Sequence, residues 1–180
     1  MLLSERGIDP NSHLVTTLDP WAIYPLQITL DSSRWLWQTL QQYRTLFSDV
    51  TLGDVDNFVK MLTLSDTEWF VVVEAQSNVA VGVVYLTDIH PSVEFQAHVV
   101  FFDRDLASKA TLCAQHLAKC VKRYGVHRVS AVIPDMYHAT IRLAKKVGFK
   151  EEGRKRESVL VGGQWRNEVL FGLLASELVT

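Results

Sequence analysis

Residues 93–100 read VEFQAHVV, a run of strand-forming residues interrupted by a carboxylate, an amide and an imidazole. Successive side chains of a strand point to opposite faces. Val93, Phe95, Ala97 and Val99 therefore form one apolar face, and Glu94, Gln96 and His98 form a polar one that can line a cleft. A carboxylate and an imidazole are groups that accept and release protons, and an imidazole titrates near neutral pH. The chain continues as FFDRDLASKATL, residues 101–112, passing from strand into helix. Helix N-termini offer unpaired backbone N–H groups and the positive end of the helix dipole, which together bind phosphate. This stretch has no glycine, unlike most phosphate-cradling loops. It also has no proline between Asp105 and Ala110, so Asp105, Leu106, Ala107, Ser108 and Lys109 all keep an N–H, and Ala107 and Ser108 are small. Arg104 and Lys109 add cations if they face the phosphates. Asp105 opposes them, because a carboxylate at a helix start takes the place of an anion. A plain capped helix with solvated Arg104 and Lys109 is the alternative.

Around these residues the chain alternates texture. Residues 1–20 show no periodicity and read as an irregular arm, leaving 21–180 as a single domain. WAIYPLQIT has strand composition, with Pro25 confining it to an edge or bulge. Asp31–Ser33 offer N-caps for a helix carrying Leu36, Leu40, Tyr43 and Phe47. Val55, Phe58, Val59 and Leu62 mark a second, shorter helix. EWFVVVE and NVAVGVVYLTDI, separated by AQSN, read as a hairpin, and HPS turns into VEFQAHVV. A helix over 106–123 carries Cys113, Leu117, Cys120 and Tyr124, with Gly125 at its end. VHRVSAVI is a further strand. Asp135 is placed to cap a helix running to Val147, and FKEEGRKRESVLV–GG–QWRNEVLFGLLA closes the chain as a hairpin. The order predicts one α/β domain.

Composition narrows the function. The chain has 180 residues and a net charge of −2, enough for one cored domain and too little positive charge to favour nucleic acid. No apolar run approaches the ~20 residues of a membrane helix, and MLLSERGIDPNSH lacks the basic and apolar regions of a signal peptide. Cys113 and Cys120 share one helix about 10 Å apart, too far for a disulfide, so both read as buried thiols in a reducing, cytoplasmic setting. Asp88, His90 and Glu94 have no recognisable metal spacing, and no metal is expected. Trp35 and Trp37, on the first helix, can line a substrate pocket or simply pack.

ATIRLAKKVGFKEEGRKRE resembles the helix and Gly-Phe…Glu-Gly segment of the GNAT superfamily of acyl-CoA-dependent N-acetyltransferases. GGQWRNEVLFGLLASEL is similar to the closing hairpin of the branch that acetylates ribosomal-protein N-termini. VAVGVVYL, with Gly82, and VEFQAHVV, with Glu94, resemble the family's third and fourth strands. The resemblance spans residues 65–178. It implies a mixed, mostly antiparallel sheet flanked by helices, with splayed fourth and fifth strands, and acetyl-CoA as co-substrate. Three positions depart from the family pattern. Of its Arg/Gln-x-x-Gly-x-Gly/Ala loop only Arg104 remains, with Ala107 and Lys109 at the glycine positions. Tyr137 stands where the late helix usually begins with Asn, and Ala144 stands where many members place a tyrosine acid.

The implied reaction is attack of a primary amine, of a protein N-terminus or a small molecule, on a thioester in a ternary complex. A free amine with a pKa near ~10.4 arrives protonated and needs a base. Glu94, directly or through a water, is the first candidate and His98 the second. An exposed strand carboxylate and a hydrogen-bonded ring are their plain readings. Backbone N–H at Val99 or Val100 would stabilise the oxyanion, and Tyr137 is a candidate acid or a packing residue. A monomer or homodimer is expected. The rival reading is a GNAT-like binding or scaffold protein without acetyl-CoA affinity.

Overall fold

The computed structural model describes residues 15–43, 48–49, 53–102 and 106–178. Its strands are β1 (Thr16–Leu18), β2 (Trp21–Pro25), β3 (Glu68–Glu74), β4 (Val79–His90), β5 (Glu94–Phe101), β6 (Arg128–Pro134), β7 (Lys150–Val161) and β8 (Gln164–Leu174). Its helices are α1 (Leu30–Gln41), α2 (Val55–Thr63), α3 (Ala110–Tyr124) and α4 (His138–Val147). The strands form one sheet in the order β1-β2-β3-β4-β5-β6-β8-β7. Every neighbouring pair is antiparallel except β5 with β6, which is parallel.

The middle of the sheet is buried on both sides, which explains the unbroken apolar run of β3. Trp69, Val71 and Val73 face a core completed by Leu36 and Leu40 of α1 and by Phe58 and Leu62 of α2. Phe70 and Val72 face the opposite core, built on Leu112, Cys113, Leu117 and Cys120 of α3 and Leu143 of α4. Cys113 and Cys120 are free and buried thiols. Val55 and Val59, at helical spacing with the buried pair of α2, face outward.

Several local expectations are corrected. Residues 16–18, placed in the irregular arm, form β1, which pairs with β2 from Thr16↔Ile23 to Leu18↔Trp21. Residues 1–14 lie outside the described residues. Helix α1 is capped earlier than Asp31–Ser33. The Thr29 hydroxyl accepts from the Ser32 N–H at 3.2 Å, and the Ser32 hydroxyl accepts from the Thr29 N–H at 2.7 Å, a reciprocal capping box. The helix expected from residue 106 begins with a 3-10 turn at Ala107–Lys109 before α3 proper. Asp135 does not cap α4, because its carboxylate accepts from Asn167 Nδ2 at 3.0 Å and pairs with Arg154 at 3.4 Å.

The two hairpin glycines have positive φ, 59° at Gly162 and 72° at Gly163, which a two-residue turn of this hand requires. Their N–H groups donate to the two oxygens of Asp49 at 2.9 and 2.8 Å, tying the hairpin tip to the segment between α1 and α2. Gly82 serves a different purpose. The β3–β4 register slips beside it, and an added Cβ there would lie 2.5 Å from Phe101 Cδ1 and 2.7 Å from the Val100 carbonyl. Gly82→Ala should therefore lower stability by about 1–3 kcal/mol, the usual cost of overpacking. Urea unfolding checks this, and an unchanged midpoint would show that β5 yields freely.

Candidate active site

The parallel strands β5 and β6 pair over only three residues, Glu94↔Arg128, Phe95↔Val129 and Gln96↔Ser130. Beyond them each strand keeps its outer partner. β5 runs beside β4 to Gly82↔Phe101, and β6 runs beside β8 to Pro134↔Glu168. The gap between them opens into a cavity of about 1140 Å³, lined by Gln96–Phe102, Ala131–Pro134 and residues of α3 and α4. This exceeds the ~300–1,000 Å³ of an ordinary small-molecule pocket.

Strand alternation decides which backbone groups face the gap. The Phe102 N–H donates to the Val81 carbonyl at 2.8 Å, toward β4, and the Phe95 carbonyl accepts from the Ser130 hydroxyl at 3.5 Å, toward β6. Backbone groups of a strand alternate sides, so odd-numbered residues of β5 turn theirs toward β6. Of the two expected donors, the Val99 N–H therefore faces the cavity, whereas Val100 is directed at β4.

The expected side chains fall in different places. Glu94 is at the paired end, outside the cavity lining, with its carboxylate 3.5 Å from Arg128 Nε. Arg128 in turn donates to Glu152 at 2.7 Å. The first-choice base is thus held at the closed end of the splay. His98, two pairs further along the same face, does line the cavity. Its ring stacks on Tyr85 at 4.4 Å and 4°, and its Nε2 is 3.0 Å from Thr87 Oγ1 and 3.1 Å from Gln96 Nε2. Burial lowers its pKa to about 4, with Asp88 partly opposing, so the ring is neutral at pH 7. Tyr137 also lines the cavity, just before α4. Burial, reinforced by Asp49 and opposed by Arg166, raises its pKa to about 12, so it keeps its proton.

Leu106 lines the cavity, while Ala107 and Ser108 are exposed in the 3-10 turn. Arg104 and Asp105 lie outside the described residues. Lys109 is buried rather than solvated. It is 1 % exposed, with its ammonium 4.7 Å from the Trp21 ring centroid and 5.2 Å from that of Phe101. Ala144 is 7 % exposed and lines the cavity, where its methyl group offers no proton donor. Trp37 packs on Phe58 at 5.2 Å. Sequence reasoning missed Tyr85 and Thr87. Alternation along VAVGVVYLT puts both on one face of β4, but only the register shows that this face meets His98. It also missed Arg142, whose place in the cavity wall follows from its position on α4.

Among the described residues no cluster of His, Cys, Asp and Glu is placed to hold a metal, and no helix is long and apolar enough to cross a membrane. No family model and no curated protein sequence matches the chain. Solved structures do match. Spermidine N-acetyltransferase from Vibrio cholerae, in complex with CoA and spermine, is 15 % identical with a TM-score of 0.70, covering 91 % of this chain and 100 % of the other. Ribosomal-protein-S5-alanine acetyltransferase from Vibrio fischeri is 11 % identical with a TM-score of 0.70 over 92 % and 99 %. A GNAT-family acetyltransferase from Bacillus anthracis is 20 % identical with a TM-score of 0.64 over 91 % and 99 %. The chain has the GNAT fold.

A second buried imidazole, His116, meets Thr16 Oγ1 through Nδ1 at 3.2 Å and packs edge-on against Phe70 at 4.4 Å. Burial, with a smaller push from Lys119, lowers its pKa to about 3. His98 and His116 are thus neutral in the folded protein at a pH where the unfolded chain, titrating near ~6.5, takes up protons. Above that pH they have no effect on stability. The melting temperature should fall as pH drops from about 6.5 toward 4, and His116→Phe should flatten the slope. Thermal melts across that window check it; an equally steep slope in the variant would mean that His116 is protonated when folded.

Proposed function

We propose that the protein is an acyl-CoA-dependent N-acetyltransferase acting on a primary amine by direct attack in a ternary complex. The observation that carries this reading is the parting of β5 from β6, which brings an inward-facing Val99 N–H and a neutral, cavity-lining His98 to one opening. The fold neighbours support it, since those compared are acetyltransferases, two of them named for amine substrates, and one was solved with CoA.

Acetyl-CoA supplies the activated thioester carbonyl. The Val99 N–H is placed to donate to the oxyanion that forms as the amine attacks. His98 takes the amine proton, the new C–N bond forms, and the C–S bond breaks. Tyr137 donates its phenolic proton to the departing thiolate. Glu94 keeps Arg128 at the closed end rather than acting as the base. The phosphates are assigned to the stretch from Arg104 through Asp105, Leu106, Ala107 and Ser108. Lys109 anchors this stretch from below, its own N–H donating to the Leu106 carbonyl at 3.2 Å. A scaffold protein that kept the fold and lost the chemistry is the rival, favoured by Ala144 in place of an acid and by the absence of glycine around Lys109.

Calorimetry with acetyl-CoA, using desulfo- and dephospho-CoA as controls, separates the two. The enzyme reading expects saturable micromolar binding followed by thiol release with an amine acceptor. No binding at millimolar acetyl-CoA would make the scaffold reading correct. His98→Gln should lower kcat by about 10²-fold or more, the scale of general base catalysis, while acetyl-CoA affinity stays within about threefold. Glu94→Gln should leave both nearly unchanged. The reverse result would return the base to Glu94. Lys109→Met should also leave affinity within about threefold, because the ammonium faces Trp21 and Phe101; a tenfold loss would place it on the phosphates.

A further inference from the structure

We infer that Thr87 and Asp88 act as positioning residues that fix the tautomer of His98, keeping the proton on Nε2 and the lone pair on Nδ1. The inference rests on the proposed role of His98 as the group that takes the amine proton.

Its starting point is an irregularity in β4. Pairing with β5 runs regularly to Thr87↔Gln96 and resumes at His90↔Glu94, so β4 carries one extra residue between these points. The bulge holds Asp88 in the left-handed region, φ 51°, a conformation that costs most side chains about 1–2 kcal/mol and that Asp tolerates better than most. Its effect is local. In a regular strand, Asp88 and Thr87 would project to opposite faces. Here Asp88 Oδ2 lies 3.2 Å from Thr87 Oγ1, and that oxygen lies 3.0 Å from His98 Nε2.

A threonine hydroxyl has one proton to give. Given to Asp88, a carboxylate that only accepts, it leaves Oγ1 as the acceptor toward His98. Nε2 must then carry the ring proton, and the Gln96 amide presents its oxygen to the same N–H, since its oxygen and nitrogen positions are interchangeable. Nδ1 is left with the lone pair. With no acceptor at position 88 the threonine is free to donate to Nε2, and the ring proton moves to Nδ1. The ring plane is held independently. Trp69, Tyr85 and His98 are register partners across β3, β4 and β5, and their rings stack in a row, Trp69 on Tyr85 at 4.3 Å and 12° and Tyr85 on His98 at 4.4 Å and 4°. Rotation of the ring is thereby restricted, and the hydroxyl decides only which nitrogen bears hydrogen. Tyr85 and Asp88 are the titratable groups of β4 beside it. Tyr43, just after α1, Cys113 and His116 of α3, Tyr137, His138 and Arg142 at α4, Lys155 of β7 and Glu168 of β8 line the same cavity.

Two-bond ¹H–¹⁵N spectra of the uniformly labelled full chain at pH 7 report histidine tautomers without any need for turnover, and His98→Gln assigns the His98 signals among the six histidines. The expected result is Nε2–H in the wild type, with a shift to Nδ1–H or to a mixture in Asp88→Ala. Thr87→Val should likewise lose the single tautomer, and Thr87→Ser should restore it. Nδ1–H in the wild type, or an unchanged Nε2–H in both Asp88→Ala and Thr87→Val, would overturn the inference whether or not the protein transfers acetyl groups. With an acceptor amine, Thr87→Val and Asp88→Ala should reduce kcat about tenfold with KM for acetyl-CoA within twofold, and Thr87→Ser should recover most of it. A change in KM alone would overturn the positioning role. If the tautomer behaves as expected but no amine is acetylated, the fault lies with the proposed function and the hydrogen-bond assignment stands.

Discussion

The cavity in this molecule depends on where two parallel strands stop pairing. β5 and β6 hold together at Glu94–Gln96 and Arg128–Ser130 and then separate. The closed end is crowded. Arg128 lies between Glu94 and Glu152 over Gly172, where a Cβ would fall 2.2 Å from Glu152 Oε1 and 2.8 Å from Arg128 Nη2. These ion pairs are partly exposed and each contributes at most about 1 kcal/mol, so charge alone does not clamp the strands. The bare glycine leaves room for the paired Glu152 and Arg128 side chains beside it. Beyond this end, each strand keeps only its outer neighbour, which pairs every second residue. The inward-facing groups between, Val99 N–H among them, are available to a ligand.

Two opposite uses of burial meet at that gap. On the α3 and α4 side, Phe95, Ala97 and Val99 join the apolar core. On the other side, the same strand presents Gln96 and His98 beside Tyr85 and Thr87. Burial there keeps the imidazole neutral at physiological pH, the state in which it can accept a proton. A low pKa makes a weaker base but one that is unprotonated throughout the neutral range. The same burial keeps Tyr137 protonated. Cys113, also in the cavity wall, has its thiol pushed up to about 12 by burial and keeps its proton at neutral pH.

Much of this was legible in the residues. The alternation of VEFQAHVV correctly divided β5 into two faces, and the hairpin glycines, Gly125 and Gly148 marked their turns through the positive φ they adopt. Depth along a strand was not legible. Glu94 and His98 share a face, but one is at the zipped end and the other in the opening, and only the pairing register separates them. The caps failed for a related reason. TLDSS offers four capping side chains in five residues, and the choice of Thr29 follows from a reciprocal bond that composition cannot rank. Residues 16–18 are too short to show a period, and they form a strand only because β2 offers an edge.

The glycine-free loop shows what composition can and cannot decide. Glycine is required where the backbone must take positive φ or where a ligand must touch the chain. At Leu106, Lys109 and Ala110 the φ values are −69°, −92° and −60°, all ordinary for any residue. Nothing in this part of the turn needs glycine for its conformation. The remaining question is obstruction, and it turns on the one large residue at a family glycine position. The Lys109 side chain is buried, and its ammonium reaches the faces of Trp21 and Phe101, where cation–π attraction offsets part of the cost of burial. Phe101 is also the ring for which Gly82 leaves room. A bare position in β4 thus makes space for an aromatic ring in β5, and the ring helps to hold a buried lysine. At Leu106, Lys109 and Ala110 the absence of glycine therefore imposes no backbone strain.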